Sequence, residues 1–377
     1  MPEKLQMKII ADSNIPALDD TFGPHGELVL LNGRDICHSD LIDADVLLVR
    51  SVTRVSEDLL ADTKIQFVGS TTIGIDHLDT AWLDTNGIAW ANAPGCNADS
   101  AAQYTLAMMW LACERLNIDF MQQSVGIIGR GNVGQRVAQL LEALNIPVIC
   151  CDPPLQQMGG QKLVSMDAVC DKPVISLHTP LTATGTYPTR NLFDEHRLAG
   201  LHPQTLIVNA SRGGVIEARG LLRHLQSGHI RAALDVWPDE PFISPELLDL
   251  VTVATPHVAG YSREGKLAGT AMIYTAFCDA FGISINDQTS SIMPSTLEFP
   301  PATPVTEILR RSVLSSCQLE RDDEALRNLS AQAGESRIQI DSLRATYPER
   351  YEFKSHTISG LSEPNAKQLR QLGFKAG

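Results

Sequence analysis

Residues 124–152, SVGIIGRGNVGQRVAQLLEALNIPVICCD, constrain this chain more than any other stretch. Val125 to Ile128 is a short apolar run of strand type. Gly129-Arg130-Gly131-Asn132-Val133-Gly134 follows, a G-x-G-x-x-G. Val133, Val137, Leu140, Leu141 and Leu144 then recur at helical spacing, and a second apolar run, Val148 to Cys151, ends at Asp152. Strand, glycines, helix, strand and acid in this order suit a dinucleotide. Gly129 permits the tight turn, Gly131 leaves the backbone bare towards a pyrophosphate, and Gly134 lets helix and strand approach. Asn132 and Val133 open the helix, whose first N–H groups and positive dipole end attract phosphate. Asp152 is placed to accept hydrogen bonds from the adenosine ribose. A carboxylate there repels a 2′-phosphate, so the expected cofactor is NAD.

The rest of the chain must then be arranged around such a unit. Its 377 residues allow two or three domains, and 44% apolar content can fill several cores. A net charge of −14 argues against non-specific binding to nucleic acid or to an anionic membrane surface. The eight cysteines show no C-x-x-C spacing and read as reduced thiols of a cytoplasmic protein. No stretch reaches about 18 apolar residues, so no membrane span is expected, nor is a metal site. Residues 1–6 read as a disordered lead-in.

Residues 7–100 carry strand candidates at 8–11, 27–31, 46–49, 66–68 and 88–90. Two hydroxyl-rich loops follow strands, Arg50 to Arg54 and Gly69 to Asp76, and can hold a carboxylate or phosphate. Asn97 and Asp99 look like caps of a long apolar helix reaching about Phe120. Strands and helices alternate from Val125 to about Pro256, which predicts a parallel sheet covered on both faces. Further strands are expected at 174–178, 206–209, 232–236 and 251–255, with helices at 192–198 and 217–226. A long helix from Arg263 to about Phe281 is expected to return to the first domain, leaving a cleft between two lobes. Residues 287–304 are rich in Pro, Ser and Thr and read as a linker. Beyond it are a helical segment, 307–329, a short strand at 356–358 and a helix at 366–372.

Three residues after later strands suit hydride transfer from a 2-hydroxy acid. Arg212 lies in NASRGG, Glu240 in DVWPDEP and His257 in TPHVAG. A histidine can take the hydroxyl proton as hydride leaves. A carboxylate on its other ring nitrogen fixes the tautomer. A planar guanidinium grips the substrate carboxylate through two hydrogen bonds. His178 also follows a strand, so position alone does not choose the histidine.

Together with GRGNVG, these blocks resemble the signatures of the D-isomer-specific 2-hydroxyacid dehydrogenases over roughly residues 7–285. The resemblance implies that Arg212, Glu240 and His257 are catalytic. It implies cofactor contacts from Thr179, Ala210, Ser211, Arg212, Asp235 and Gly260, beside Gly129, Gly131, Asn132, Val133, Gly134 and Asp152. It also implies substrate contacts from Ser51, Thr72 and Tyr261. Within the family, KIIAD, RSVT, GIDHLD, PGCN and GYSREGK look like a member acting on a phosphorylated four-carbon 2-hydroxy acid. The phosphate calls for a cation: Arg50 and Arg54 are local candidates, and Arg350 is a third, reaching in from a partner subunit. Gln103 stands where family members usually carry Glu.

The expected fold class is therefore α/β: a Rossmann-type NAD-binding domain, 101–261, inserted in a smaller flavodoxin-like substrate domain, 7–100 with 262–286. After the linker comes a C-terminal α+β domain, 305–377, whose resemblance implies a homodimer. Two alternatives stay open. One is another 2-hydroxyacid dehydrogenase, acting on 3-phosphoglycerate, glycerate or glyoxylate. The other is an NAD(H)-sensing module like the family's corepressor relatives.

Overall fold

A computed structural model describes residues 7–285, 295–300, 303–333 and 338–377. The expected lead-in, 1–6, and residues 287–294 of the expected linker lie outside the described residues. The chain divides into two compact units, Met1–Asn97 with Arg263–Ile292, and Ala98–Ser262 with Met293–Gly377.

The first unit is built on five strands: β1 (Met7–Asp12), β2 (Gly26–Leu31), β3 (Val46–Val49), β4 (Phe67–Ser70) and β5 (Ala89–Asn92). They pair in parallel in the order β2-β1-β3-β4-β5. Successive residues of a strand face opposite sides, so a sheet covered on both faces needs continuous apolar runs. Ile9 and Ile10 show the consequence. Ile9 joins a core with Phe22, Phe67, Ile273 and Phe277, whereas Ile10 joins one with Leu41, Leu47 and Leu83. Helix Arg263–Phe281 supplies Ile273, Tyr274 and Phe277 to the first of these cores.

The second unit carries β6 (Val125–Ile128), β7 (Val148–Cys151), β8 (Val174–Leu177), β9 (Thr205–Asn209) and β10 (Ile230–Leu234), then β11 (Phe242–Ile243) and β12 (Val253–Ala254). Six of these form one parallel sheet in the order β12-β10-β9-β8-β6-β7. The chain runs outward from β6 to β7 and then returns to β8 on the other side of β6. Such a reversal is the point where open α/β sheets bind ligands, beyond the carboxyl ends of the strands.

Helix Ala98–Arg115 explains why the tail belongs to this unit. Fifteen of its eighteen residues are buried. A helix apolar on every side needs cover all round. Helix Asn132–Ala143 packs on it, and so does helix Val305–Cys317 from the tail. Residues 305–377 are thus continuous with the nucleotide-type core rather than a separate body. Within them, the helical segment expected at 307–329 is two helices, Val305–Cys317 and Leu319–Ala333. They are split at Gln318, whose backbone is left-handed with φ 53°. Part of the expected linker is a strand, β13 (Ser295–Glu298). Next come β14 (Ile338–Gln339), β15 (His356–Ser359) and β16 (Lys375–Ala376). β13, β15 and β16 form a small parallel sheet, and β14 pairs antiparallel with β11.

Sequence and structure differ at several helix ends. Asp99 is a first-turn acid of a helix that already begins at Ala98, and that helix stops at Arg115 rather than near Phe120. Asn117 turns the chain there with φ 57°. All eight cysteines are free thiols; burial pushes Cys113 and Cys317 up to about 12.

Candidate active site

The carboxyl edge of the six-stranded sheet gathers the expected residues of the second unit. Gly129 leaves β6 with φ +87°, and a Cβ there would sit 2.7 Å from the His178 carbonyl oxygen. At Gly134, a Cβ would overlap the carbonyl oxygen of Gly129. At Gly131, by contrast, a Cβ would meet nothing within 4 Å. Two glycines thus serve close packing, and the middle one faces open space at the N-terminus of helix Asn132–Ala143. Open space over free helix N–H groups fits a pyrophosphate. Asp152 accepts the Arg130 N–H on Oδ2 at 2.7 Å and the Leu155 N–H on Oδ1 at 2.9 Å. Its carboxylate is held beside the glycine turn with a lone pair remaining on each oxygen. Thr179 Oγ1 and His178 Nδ1, at the end of β8, are buried without a hydrogen-bond partner among the described residues. A cofactor passing along this edge would give such polar atoms a partner.

β9 ends at Asn209, whose side chain shapes the next turn. Its Oδ1 accepts the Ser211 N–H at 3.0 Å and the Ser211 hydroxyl at 2.8 Å, and its Nδ2 donates to the Arg212 carbonyl at 3.0 Å. Ala210 and the half-buried Arg212 are presented from this turn. A Cβ on Gly213 would overlap the Trp237 carbonyl, so the Arg212 turn and the loop carrying Glu240 touch.

The loop after β12 is fixed by Asp235, at the end of β10 and 1% exposed. Asp235 Oδ1 accepts the Thr255 hydroxyl at 2.6 Å and the Val258 N–H at 2.9 Å; Oδ2 accepts the Ala259 N–H at 3.0 Å. Expected as a cofactor contact, this carboxylate holds the histidine loop. His257 between these anchors is left-handed, with φ 58°. Such a backbone costs about 1–2 kcal/mol away from glycine. Three hydrogen bonds to Asp235, of about 1 kcal/mol each, outweigh the strain.

His257 Nδ1 lies 2.6 Å from Glu240 Oε2, and Glu240 Oε1 accepts the Trp237 N–H at 2.7 Å. Burial alone would raise the Glu240 carboxyl. The His257 ring, the Trp237 N–H and the Arg344 charge together outweigh it and hold Glu240 below the usual carboxylate range. An ionised Glu240 accepts the Nδ1 proton, which leaves Nε2, across the ring, as the proton acceptor. His178 is disqualified as the base by its surroundings: burial drives it down to about 3.

In the first unit, Ser51 follows β3 and Thr72 follows β4, at the carboxyl ends of neighbouring strands. Thr72 Oγ1 lies 2.9 Å from Ser70 Oγ, which also meets His77 Nε2 at 2.9 Å. Arg50 is forked onto the buried Asp12, with Nε 2.8 Å from Oδ2 and Nη2 3.3 Å from Oδ1. A phosphate at Arg50 would have to share the guanidinium with Asp12.

Arg350 overturns one expectation. It is 1% exposed inside its own chain. Nη2 donates to Ser100 Oγ at 2.9 Å, to the Val258 carbonyl at 3.2 Å and to the Ala259 carbonyl at 2.6 Å. Its guanidinium carbon stacks 4.8 Å from the Tyr104 ring centroid. A side chain so enclosed does not reach a partner's substrate; it grips the histidine loop from behind. Gln103 also has a local reason. Its Oε1 accepts the Phe353 N–H at 3.0 Å, in a buried position where a carboxylate would bring charge. Sequence reasoning missed the gripping roles of Asp235 and Arg350. An acid directly after a strand was visible for the first; nothing local marked the second.

Comparison with known proteins agrees with this geometry. Residues 97–259 match the model of the D-isomer specific 2-hydroxyacid dehydrogenase, NAD binding domain. The chain is 42% identical to the erythronate-4-phosphate dehydrogenase of Marinobacter nauticus, over 98% of this chain and 99% of that one. It is 41% identical to the enzyme of the same name from Cellvibrio japonicus, over 98% and 100%. In fold it resembles the D-lactate dehydrogenase of Aquifex aeolicus complexed with NAD and lactic acid, with a TM-score of 0.64 and 22% identity, over 73% of this chain and 96% of that one. With the glycine turn, Asp152 and the histidine–carboxylate pair on one sheet edge, the chain belongs to the D-isomer-specific 2-hydroxyacid dehydrogenases, as an NAD-binding oxidoreductase.

Proposed function

We propose that this chain oxidises 4-phospho-D-erythronate to 2-oxo-3-hydroxy-4-phosphobutanoate with NAD, a step of vitamin B6 (pyridoxal 5′-phosphate) synthesis, as a cytoplasmic homodimer. The observation that carries the chemistry is the 2.6 Å contact between His257 Nδ1 and Glu240 Oε2 at the edge that also holds the glycine turn. The substrate assignment rests on likeness to erythronate-4-phosphate dehydrogenases over nearly the whole chain, tail included.

His257 Nε2 takes the proton of the C2 hydroxyl, and Glu240 fixes the tautomer and stabilises the imidazolium that forms. Arg212 engages the substrate carboxylate and polarises the neighbouring C2 oxygen. NAD supplies the hydride acceptor when bound at the glycine turn. Tyr261, Ser51 and Thr72 are proposed as substrate contacts. The cofactor contacts are proposed at Gly129, Gly131, Asn132, Val133, Gly134, Asp152, Thr179, Ala210 to Arg212, Asp235 and Gly260.

The test is turnover of 4-phospho-D-erythronate, 3-phosphoglycerate, D-glycerate and the glyoxylate reverse reaction, followed by NADH absorbance. The highest kcat/KM is expected on the phosphorylated four-carbon acid. His257→Gln should lower kcat by ~10²-fold or more with NADH binding retained. Preference for 3-phosphoglycerate would overturn the substrate assignment. Tight NADH binding with no turnover of any acid would favour a sensor.

A further inference from the structure

The tail reaches the loops around His257 at four places. β14 pairs with β11, directly after Glu240-Pro241, and the Ile340 N–H donates to the Pro241 carbonyl at 3.1 Å. Arg350 holds the Val258 and Ala259 carbonyls. The Ser262 hydroxyl donates to Glu352 Oε1 at 2.9 Å. The fourth contact is Arg344, on the short helix Asp341–Ala345. Its side chain is 12% exposed. Nε and Nη2 both donate to the Tyr261 hydroxyl, at 3.2 and 3.0 Å, and its guanidinium carbon lies 5.7 Å from that ring's centroid. Nη1 lies 3.7 Å from Asp341 Oδ1.

We infer that Arg344 is a positioning residue of the oxidation: one guanidinium sets the Tyr261 hydroxyl and, from the helix that follows β14, brings a positive charge to the side of the loop that carries Glu240. This rests on the reading of His257 as the base.

Two consequences separate Arg344 from a residue that only holds the fold. The first is geometric. A planar fork giving two N–H bonds to one phenol oxygen fixes where that oxygen lies, and a lysine cannot reproduce the fork. The second is electrostatic. Burial opposes the guanidinium charge, but Tyr261, Glu240 and Asp341 outweigh it and hold Arg344 protonated. The same charge is among the influences that keep Glu240 ionised. A cation beside an acid–imidazole pair opposes uptake of a proton by that pair. Charged and titratable groups on the elements packed around the pair include Arg344 and Asp341 from the tail, Tyr261 from the loop after β12, Asp235 and Arg350 beneath that loop, Asp239 beside Glu240, and Arg212 on the turn that touches the Glu240 loop. Among these, Arg344 is a cation that favours the ionised Glu240, behind the larger influences of the His257 ring and the Trp237 N–H.

The experiment compares Arg344→Met, Arg344→Lys and Tyr261→Phe with the wild-type chain. Steady-state kinetics use whichever 2-hydroxy acid the wild type oxidises best. Proton uptake by the Glu240–His257 pair is also followed by the histidine ring NMR signals without substrate. In Arg344→Met, uptake and the acid limb of kcat/KM should move to higher pH, and KM should rise because the Tyr261 hydroxyl is no longer set. Arg344→Lys should restore the limb but leave KM raised, since charge returns without the fork. Tyr261→Phe should raise KM and leave the limb in place. If Arg344→Met does not fold, the split between limb and KM in Arg344→Lys decides. An acid limb and ring titration identical in wild type and Arg344→Met would overturn the inference, as would a limb displaced equally by Arg344→Lys. A wild type that oxidises no acid would overturn the proposed function instead, and the ring titration would still decide the role of Arg344.

Discussion

His178 gives a stability prediction with a definite sign. Its Nε2 lies 2.9 Å from Ser176 Oγ, while Nδ1 is enclosed although part of the residue reaches the surface. Burial lowers its pKa to about 3. In the unfolded chain a histidine titrates near 6.5. Between those values the unfolded state binds a proton that the folded state refuses, so stability rises with pH across the window and is lost on acidification. At pH 5 the loss is about 2 kcal/mol, and at pH 7.5 it is under about 0.1 kcal/mol. Shifting the folded value by a unit hardly alters this, because pH 5 already lies above it. His178→Gln keeps a donor in reach of Ser176 and removes the titration. Urea unfolding of the cofactor-free protein at pH 7.5 and 5.0, followed by tryptophan fluorescence, compares the two chains. The carboxylates are common to both and drop out of the double difference. Wild type should lose about 2 kcal/mol more than His178→Gln between the two pH values. An equal loss in both, within about 0.5 kcal/mol, would refute the enclosed neutral ring.

The glycine turn yields a contrasting pair. Gly131→Ala puts a methyl into open space at a helix N-cap, where alanine costs about 0.5–1 kcal/mol, yet it should weaken NADH binding by roughly tenfold or more. Gly134→Ala drives a methyl into the Gly129 carbonyl and should lower stability by about 1–3 kcal/mol or more, read by the same urea titration. Unchanged NADH affinity in Gly131→Ala would count against a pyrophosphate there. Asp152→Ser should reduce the preference for NAD over NADP by on the order of tenfold, measured as a ratio of kcat/KM, because the repelling carboxylate is gone.

What could be read in the sequence was what repeats locally. The glycine spacing, the apolar strand runs and the helix Arg263–Phe281 each announce themselves within a few turns of chain. The pairing of Glu240 with His257 was legible because each follows a strand and the chemistry needs both. Long-range partners were not. β13 lies in a Pro- and Ser-rich stretch and becomes a strand only because β15, some sixty residues on, offers it an edge. The break at Gln318 interrupts an unbroken helical pattern, since a single left-handed residue leaves the apolar periodicity nearly intact. Arg350 read as a cation for a phosphate, yet the carbonyls it meets belong to residues more than ninety positions away. No local pattern marks a guanidinium that will be enclosed.

The first unit is assembled from two pieces of chain separated by residues 98–262. Its aromatic core is completed by Tyr274 and Phe277, from the second piece, against Phe22 and Phe67 from the first. A ribosome adding about 5–20 residues per second needs on the order of ten seconds or more to make the intervening stretch. During that interval β1 to β5 wait with one apolar face uncovered, within reach of chaperones and of neighbouring nascent chains. The last-made helix of that unit is thus the one that ends its exposure on the polysome.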